Sequence, residues 1–78
     1  MVEIYGPKDL SEAVRSLRKK AHLSQGQLAE LAGLSRTAIQ SIESGKESCQ
    51  LDTAFKVMKV LNIHVHLNHP LLNEGQNL

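Results

Sequence analysis

The chain has 78 residues, of which 41 % are hydrophobic and 22 % charged, and its formal net charge is +1. This length limits it to one small domain, and the composition is that of a globular chain rather than a disordered one. No apolar run approaches the roughly 18 residues of a membrane-spanning helix, and the first residues lack the regions of a signal peptide, so we expect a cytoplasmic protein that does not contact membranes.

The first predicted helix begins at Pro7, after an N-terminal extension formed by residues 1–6. Proline suits the first helical position because its missing N–H has no partner there in any case. Apolar residues then recur at helical spacing, at Leu10, Val14 and Leu17. The pattern predicts a helix from Pro7 through Lys20.

Two short predicted helices follow, separated by three residues. Ser24 is a suitable N-cap for the first, and Gln27 lies three residues later, which is the capping-box arrangement. Gly33 ends this helix, as is usual where the backbone turns left-handed. Ser35 then caps a third helix over residues 36–43, which a Ser-Gly pair ends. This spacing, with a glycine in the turn, is typical of a helix-turn-helix.

A fourth helix is predicted over residues 51–61, and the sequence period then changes from 3.6 to 2. The apolar residues of this helix form a stripe of Leu51, Phe55, Met58 and Leu61, with Ala54 and Val57 beside it. Alternation of apolar and polar residues predicts a strand over residues 63–69, and residues 70–78 are interpreted as a flexible tail. Because one strand is not stable alone, it pairs either with residues 2–5 or with a second chain.

The segment LSQGQLAELAGLSRTAIQSIESGK, residues 23–46, resembles the helix-turn-helix of the phage-repressor and Xre family. With the first and fourth helices the resemblance covers residues 8–62. It implies an all-α, lambda-repressor-like domain of four to five helices, here residues 7–62. The IYGPKDL segment that leads into the first helix, the LNIHVHL segment that follows the fourth helix and the overall length resemble the HipB-type antitoxins. That resemblance implies a homodimer joined through the C-terminal strand, repression of its own operon and neutralisation of a HipA-like kinase toxin.

The resemblance also implies which residues contact a near-palindromic operator. The base-reading residues on the exposed face of the third helix are Ser35, Arg36, Thr37, Gln40 and Ser41. The phosphate-binding residues are Gln25, Ser44 and Lys46, with Lys19 and Lys20 adding longer-range attraction. The two donors of Arg36 suit guanine O6 and N7. Many relatives carry glutamine at this position, which leaves the operator sequence open.

Two structural roles follow from the same resemblance. Arg18 and Glu43 are expected to form a partly buried ion pair that ties the first helix to the end of the third. The dimer interface is expected to comprise Ile63, Val65, Leu67, Met58 and Leu61. A dimer also suits the folding energetics of so short a chain. The free energy gained by burying apolar surface and the free energy lost by ordering the chain are each on the order of 115 kcal/mol and nearly cancel, so the monomer alone is expected to be only marginally stable.

Other chemistry-bearing residues predict no catalytic, metal or cofactor site. His64, His66 and His69 crowd the C-terminus, but carboxylate or thiolate ligands are lacking nearby, so we expect a polar strand face rather than a metal site. Their protonation in mildly acidic solution is a hypothetical way to weaken a strand-paired dimer. Cys49 is interpreted as a small loop residue without a resolving cysteine. No nucleophile and base lie together in the pattern, so we expect no enzyme.

Three functions fit this sequence. The first is a DNA-binding repressor that is also the antitoxin of a HipA-like kinase. The second is a stand-alone or phage-type repressor with no toxin partner. The third is a protein-interaction adaptor that keeps the fold without binding DNA. The exposed polar residues Arg36, Thr37 and Gln40 argue against the adaptor.

Overall fold

The computed structural model describes residues 2–71 and contains four helices there: α1 (Pro7–Lys20), α2 (Gln25–Ala32), α3 (Arg36–Glu43) and α4 (Leu51–Val60). The helices α1 and α2 both pack against α3, and α4 packs against α2. This arrangement confirms the predicted all-α fold. No helix among residues 2–71 is long and apolar enough to cross a membrane.

Local capping interactions define the ends of the two short helices. The Ser24 side chain accepts a hydrogen bond from the Gln27 N–H at 3.0 Å, and the Gln27 side chain accepts one from the Ser24 N–H at 2.7 Å. Gly33 ends α2 with φ 68°, a left-handed conformation that favours glycine. The Ser35 hydroxyl then accepts from the Ala38 N–H at 3.1 Å. These contacts fix the turn that separates α2 from α3.

The core takes one large, fully buried side chain from each helix. These side chains are Val14, Leu28, Ile39 and Val57. Full burial of such a side chain contributes about 1.5–3 kcal/mol relative to exposure. The small side chain of Ala29 is buried beside them and lets α2 approach its neighbours closely. The apolar face of α3 is therefore packed into the core, and its opposite face points away from the core.

The buried face of α4 differs from the predicted stripe. Ala54, Val57 and Met58 are buried, whereas Leu51 and Phe55 at the start of the stripe are exposed. The predicted stripe is therefore only partly buried in the single chain, and the burial is centred on the side that carries Ala54 and Val57. Met58 is only 7 % exposed, so its side chain lies within its own subunit and offers little surface to a second one.

The segment after α4, residues 63–69, carries no helix and is mostly exposed. Asn62 adopts φ 58°, and the Ile63 N–H donates to the Met58 carbonyl at 2.8 Å. Leu61 and Ile63 are half-buried against the core, whereas Val65 is 64 % exposed. Among the described residues, neither 2–5 nor 63–69 forms a strand within the chain. The strand between two chains stays a prediction, and most of the predicted tail, residues 72–78, lies outside the described residues.

Candidate nucleic-acid interface

The outer face of α3 is polar and exposed. Its inner face is held in the core by Ile39 and Ile42, while Arg36, Thr37 and Gln40 project from the opposite side. Of the other two predicted base-reading residues, Ser41 is half-buried. Ser35 is exposed at the N-cap, where its oxygen accepts the Ala38 N–H and its O–H remains available to donate. The fold thus presents a row of hydrogen-bonding groups on a rigidly held helix.

The predicted phosphate-binding residues lie in two places around α3. One cleft between α1, α2 and α3 is lined by Lys19, Gln25, Gln40 and Ser44 together with Arg15, Arg18 and Glu43. Lys46 lines a separate groove beyond the end of α3, beside Pro7 and Cys49. Lys20 is exposed at the end of α1 and lines neither depression. The cleft therefore brings together three of the five predicted phosphate-binding residues and one base-reading residue.

Arg18 and Glu43 form a bidentate ion pair at the base of this cleft. Arg18 Nε donates to Glu43 Oε2 at 2.6 Å, and Nη2 donates to Oε1 at 2.9 Å. The third Arg18 nitrogen, Nη1, donates to the Leu23 carbonyl at 2.9 Å. The two side chains are 12 % and 4 % exposed. The pair therefore joins α1, the turn that follows it and the end of α3 in a largely dry environment.

The electrostatics of Glu43 favour its ionised form. Burial raises the pKa of this carboxyl, but hydrogen bonds from Arg18 and Gln25, with the positive charges of Arg18 and Arg15, outweigh burial and bring the pKa below its ordinary value of 4.5. The hydrogen bond to Glu43 raises the pKa of Arg18 in turn, although desolvation opposes this. The Gln25 amide nitrogen donates to Glu43 Oε1 at 3.3 Å, so α2 joins the same network.

Arg15 is a member of the network to which the sequence analysis gave no role. Its Nη2 donates to the backbone carbonyl of Glu43 at 2.7 Å. In the sequence, the only indication of a role for Arg15 is its place in a cluster of basic residues with Arg18, Lys19 and Lys20. On a helix, residues three apart share a face, which places Arg15 beside Arg18. The partner is a main-chain carbonyl 28 residues away, and a backbone acceptor leaves no trace in a sequence.

The C-terminal histidines and the cysteine make few contacts in the single chain. His64, His66 and His69 are all exposed, and His69 Nδ1 accepts from the Leu71 N–H at 3.0 Å. Cys49 is half-buried, and its thiol lies 3.4 Å from the Gln50 carbonyl oxygen. Within residues 2–71, no three His, Cys, Asp or Glu side chains come together in a way that would hold a metal ion.

A polar helix exposed beside a three-residue turn, with cationic side chains around it, defines a helix-turn-helix DNA-binding domain. The helix-turn-helix family model matches residues 14–67, and the chain belongs to this family. It is a DNA-binding transcription regulator of the Xre type.

Individual relatives include both a control protein and an antitoxin. The chain is 46 % identical over 56 residues to control protein C.SmaI of Serratia marcescens, which covers 72 % of this chain and 67 % of that protein. It is 28 % identical over 81 residues to antitoxin HipB of Escherichia coli strain K12, covering 97 % and 92 % of the two chains. A solved structure of the HipA-HipB-O2-O3 complex contains a chain that superposes with a TM-score of 0.81 at 26 % identity, covering 90 % of this chain and 99 % of that one. These matches confirm the resemblance to HipB and the repressor-like fold.

Proposed function

We propose that this chain is a sequence-specific repressor that binds a near-palindromic operator as a cytoplasmic homodimer. The observation that carries the proposal is the exposed polar face of α3, formed by Arg36, Thr37 and Gln40, on a helix whose inner face is wholly buried. A helix of this kind fits the major groove, and the two half-sites of a dimer then lie about 34–36 Å apart.

Within this proposal the polar residues on α3 and around it have roles in the complex. The residues that read bases are Ser35, Arg36, Thr37, Gln40 and Ser41. The residues that contact or attract phosphates are Gln25, Ser44, Lys46, Lys19 and Lys20. Arg36 donates to guanine, Gln40 suits adenine, and the Thr37 methyl group suits the methyl of thymine. Phosphate contacts supply affinity and salt dependence, whereas base contacts supply sequence choice.

The proposed dimer forms through residues 63–69 of the two subunits. Val65 and Leu67, which are 64 % and 65 % exposed, would be covered by a second copy, as would the exposed part of Ile63 and Leu61. Pairing of the two segments would also satisfy backbone groups that have no ladder partner within the described single chain. Met58 contributes little because it is already buried in its own subunit.

DNA binding is tested by comparing Arg36→Ala with Lys46→Ala on a duplex from the region upstream of the gene and on a random duplex. Arg36→Ala should cost about 1–3 kcal/mol on the upstream duplex and relax the preference at one base pair, because a bidentate base contact is lost. Lys46→Ala should weaken binding to both duplexes alike, because a phosphate contact carries no sequence information. Equal losses on both duplexes for both variants would contradict the division of roles, and no binding by the wild type would favour the adaptor.

We further propose that the chain is the antitoxin of a HipA-like kinase, which it binds on flanks away from α3. The support is the similarity to antitoxin HipB over 97 % of this chain and the fold shared with one chain of the HipA-HipB-O2-O3 complex. The test is to express the kinase-like product of the adjacent gene, which should stop cell growth, and then to co-express this chain, which should restore growth. Arg36→Ala is the matched control: it should bind the operator about 1–3 kcal/mol more weakly and keep neutralisation. Failure of the wild type to bind or neutralise that kinase would refute the antitoxin role.

The second candidate function is a regulator without a toxin partner. The observation that favours it is the identity of 46 % with control protein C.SmaI, although that match spans only 56 residues. The adjacent gene separates the two candidates, because a kinase-like reading frame beside this one supports the antitoxin role. Both candidates share the same DNA-binding surface.

A further inference from the structure

The cleft between α1, α2 and α3 carries more positive charge than its ion pair uses. Arg15, Arg18 and Lys19 line it with a single carboxylate, that of Glu43. Glu43 is committed to Arg18 through two hydrogen bonds and to Gln25 through a third. Within residues 2–71, neither Arg15 nor Lys19 has a carboxylate within 4.0 Å. The charge of these two residues is therefore available to an anionic ligand.

The position of Arg15 is fixed by the end of α3. The last carbonyls of that helix each accept one local hydrogen bond: the Ser44 N–H reaches Gln40, the Ser44 hydroxyl reaches Ser41, and the Gly45 N–H reaches Ile42. The Glu43 carbonyl, next in the row, accepts Arg15 Nη2 at 2.7 Å. Arg15 therefore completes the C-terminal cap of α3 from a different helix.

This bond occupies one of the five N–H donors of the guanidinium and leaves four. Arg15 is exposed, and the cleft that it lines also contains Gln40, on the outer face of α3. A planar guanidinium held in place by one bond matches two oxygens of a phosphate with little further loss of side-chain entropy. Lys19 lies four residues further along α1, on the same face, and adds a second positive charge.

We propose that Arg15 binds a phosphate of the DNA backbone at the mouth of this cleft while its Nη2 stays bonded to the Glu43 carbonyl. The inference rests on the proposed DNA-binding function and adds to it a phosphate contact from α1. Arg15 thereby links the end of α3 directly to the DNA backbone, and it sets the depth at which α3 enters the groove.

The experiment measures binding to a random-sequence duplex between about 50 and 200 mM NaCl, by fluorescence anisotropy. Each lost phosphate contact lowers the slope of log K against log salt concentration by about 0.9. For Arg15→Gln we therefore expect the ratio of the affinity at 50 mM NaCl to the affinity at 200 mM NaCl to be smaller than in the wild type, by about 3.5-fold per subunit or about 12-fold for a dimer. Arg15→Lys, which keeps the charge, should keep the wild-type slope. Lys56→Gln, an exposed charge change on α4, is the matched control and should also keep it.

Thermal unfolding of the same variants separates a phosphate contact from a purely structural cap. If Arg15→Gln lowers the melting temperature but leaves the salt slope unchanged, Arg15 acts only on the helix end and the proposal is overturned. If the wild type fails to bind any duplex, the DNA-binding function itself fails, and this inference fails with it. A reduced slope in Arg15→Gln alone supports the phosphate contact.

Discussion

Substitution of Arg18 by alanine tests whether the buried ion pair holds the domain together. The substitution removes two hydrogen bonds to the Glu43 carboxylate and one to the Leu23 carbonyl. It leaves the carboxylate, only 4 % exposed, with the single 3.3 Å hydrogen bond from Gln25. An ionised group stranded in this way is costly because so little of its surface is exposed to water.

The expected loss is about 3–5 kcal/mol of unfolding free energy, the range found when one partner of a buried pair is removed. A chain of this length has a total of only about 4–12 kcal/mol, so the melting temperature should fall by at least about 12 °C. Calorimetry at fixed protein concentration measures it, since the proposed dimerisation would make the melting temperature depend on concentration. Lys20→Ala on the exposed side of α1 is the control and should change the stability by less than about 0.5 kcal/mol.

A double variant sharpens the result. Arg18→Met combined with Glu43→Leu removes both charges and should retain more stability than Arg18→Ala alone, because no buried charge is left without a partner. A melting temperature for Arg18→Ala within a few degrees of the wild type would refute the reasoning, since it would mean that Glu43 is solvated or neutral when Arg18 is absent.

Two further predictions concern pH and assembly. The pKa of Glu43 is lower in the folded state than its ordinary 4.5, so ionised Glu43 stabilises the fold at higher pH, and this stability is lost as the pH falls from about 4.5 through the folded-state pKa. In Glu43→Gln, the unfolding free energy measured with urea should depend less on pH in that range. Val65→Asp places a charge in the proposed strand pair, where Val65 is 64 % exposed in the single chain. Sedimentation should then show monomers, while circular dichroism should show unchanged helix content; a persistent dimer would mean that the interface lies elsewhere.

Much of the fold was predictable because it rests on short-range contacts. The capping box at Ser24 and the left-handed turn at Gly33 each involve residues within three or four positions, so their sequence signatures carry the geometry directly. The bounds of α1 and α3 match the prediction, and α4 ends at residue 60 rather than 61. Apolar periodicity and caps therefore suffice to place the turn and the helix beside it.

The missed features depend on how helices pack against each other. Periodicity showed that α4 is amphipathic, but Phe55 and Ala54 both lie near the apolar side, and only the packing of the folded domain buries Ala54 and leaves Phe55 exposed. Arg15 was missed for a related reason, because its partner is the carbonyl of a residue far away in the sequence. A residue type carries information about side-chain chemistry, and it carries none about which distant backbone atom lies nearby.

Glu43 couples the stability of the fold to the proposed recognition of DNA. Its carboxylate holds Arg18 of α1 and Gln25 of α2, and its carbonyl holds Arg15. Three helices therefore meet at the last residue of α3, and their side chains line the cleft where phosphates are proposed to bind. A helix fixed at its end in this way loses little freedom when it enters a groove, which favours affinity. It follows that Glu43→Leu, where the domain stays folded, should weaken the proposed operator binding in an anisotropy titration, because Gln25 loses its carboxylate partner. Arg15 should be less affected, since its bond is to the Glu43 backbone carbonyl, which the substitution keeps.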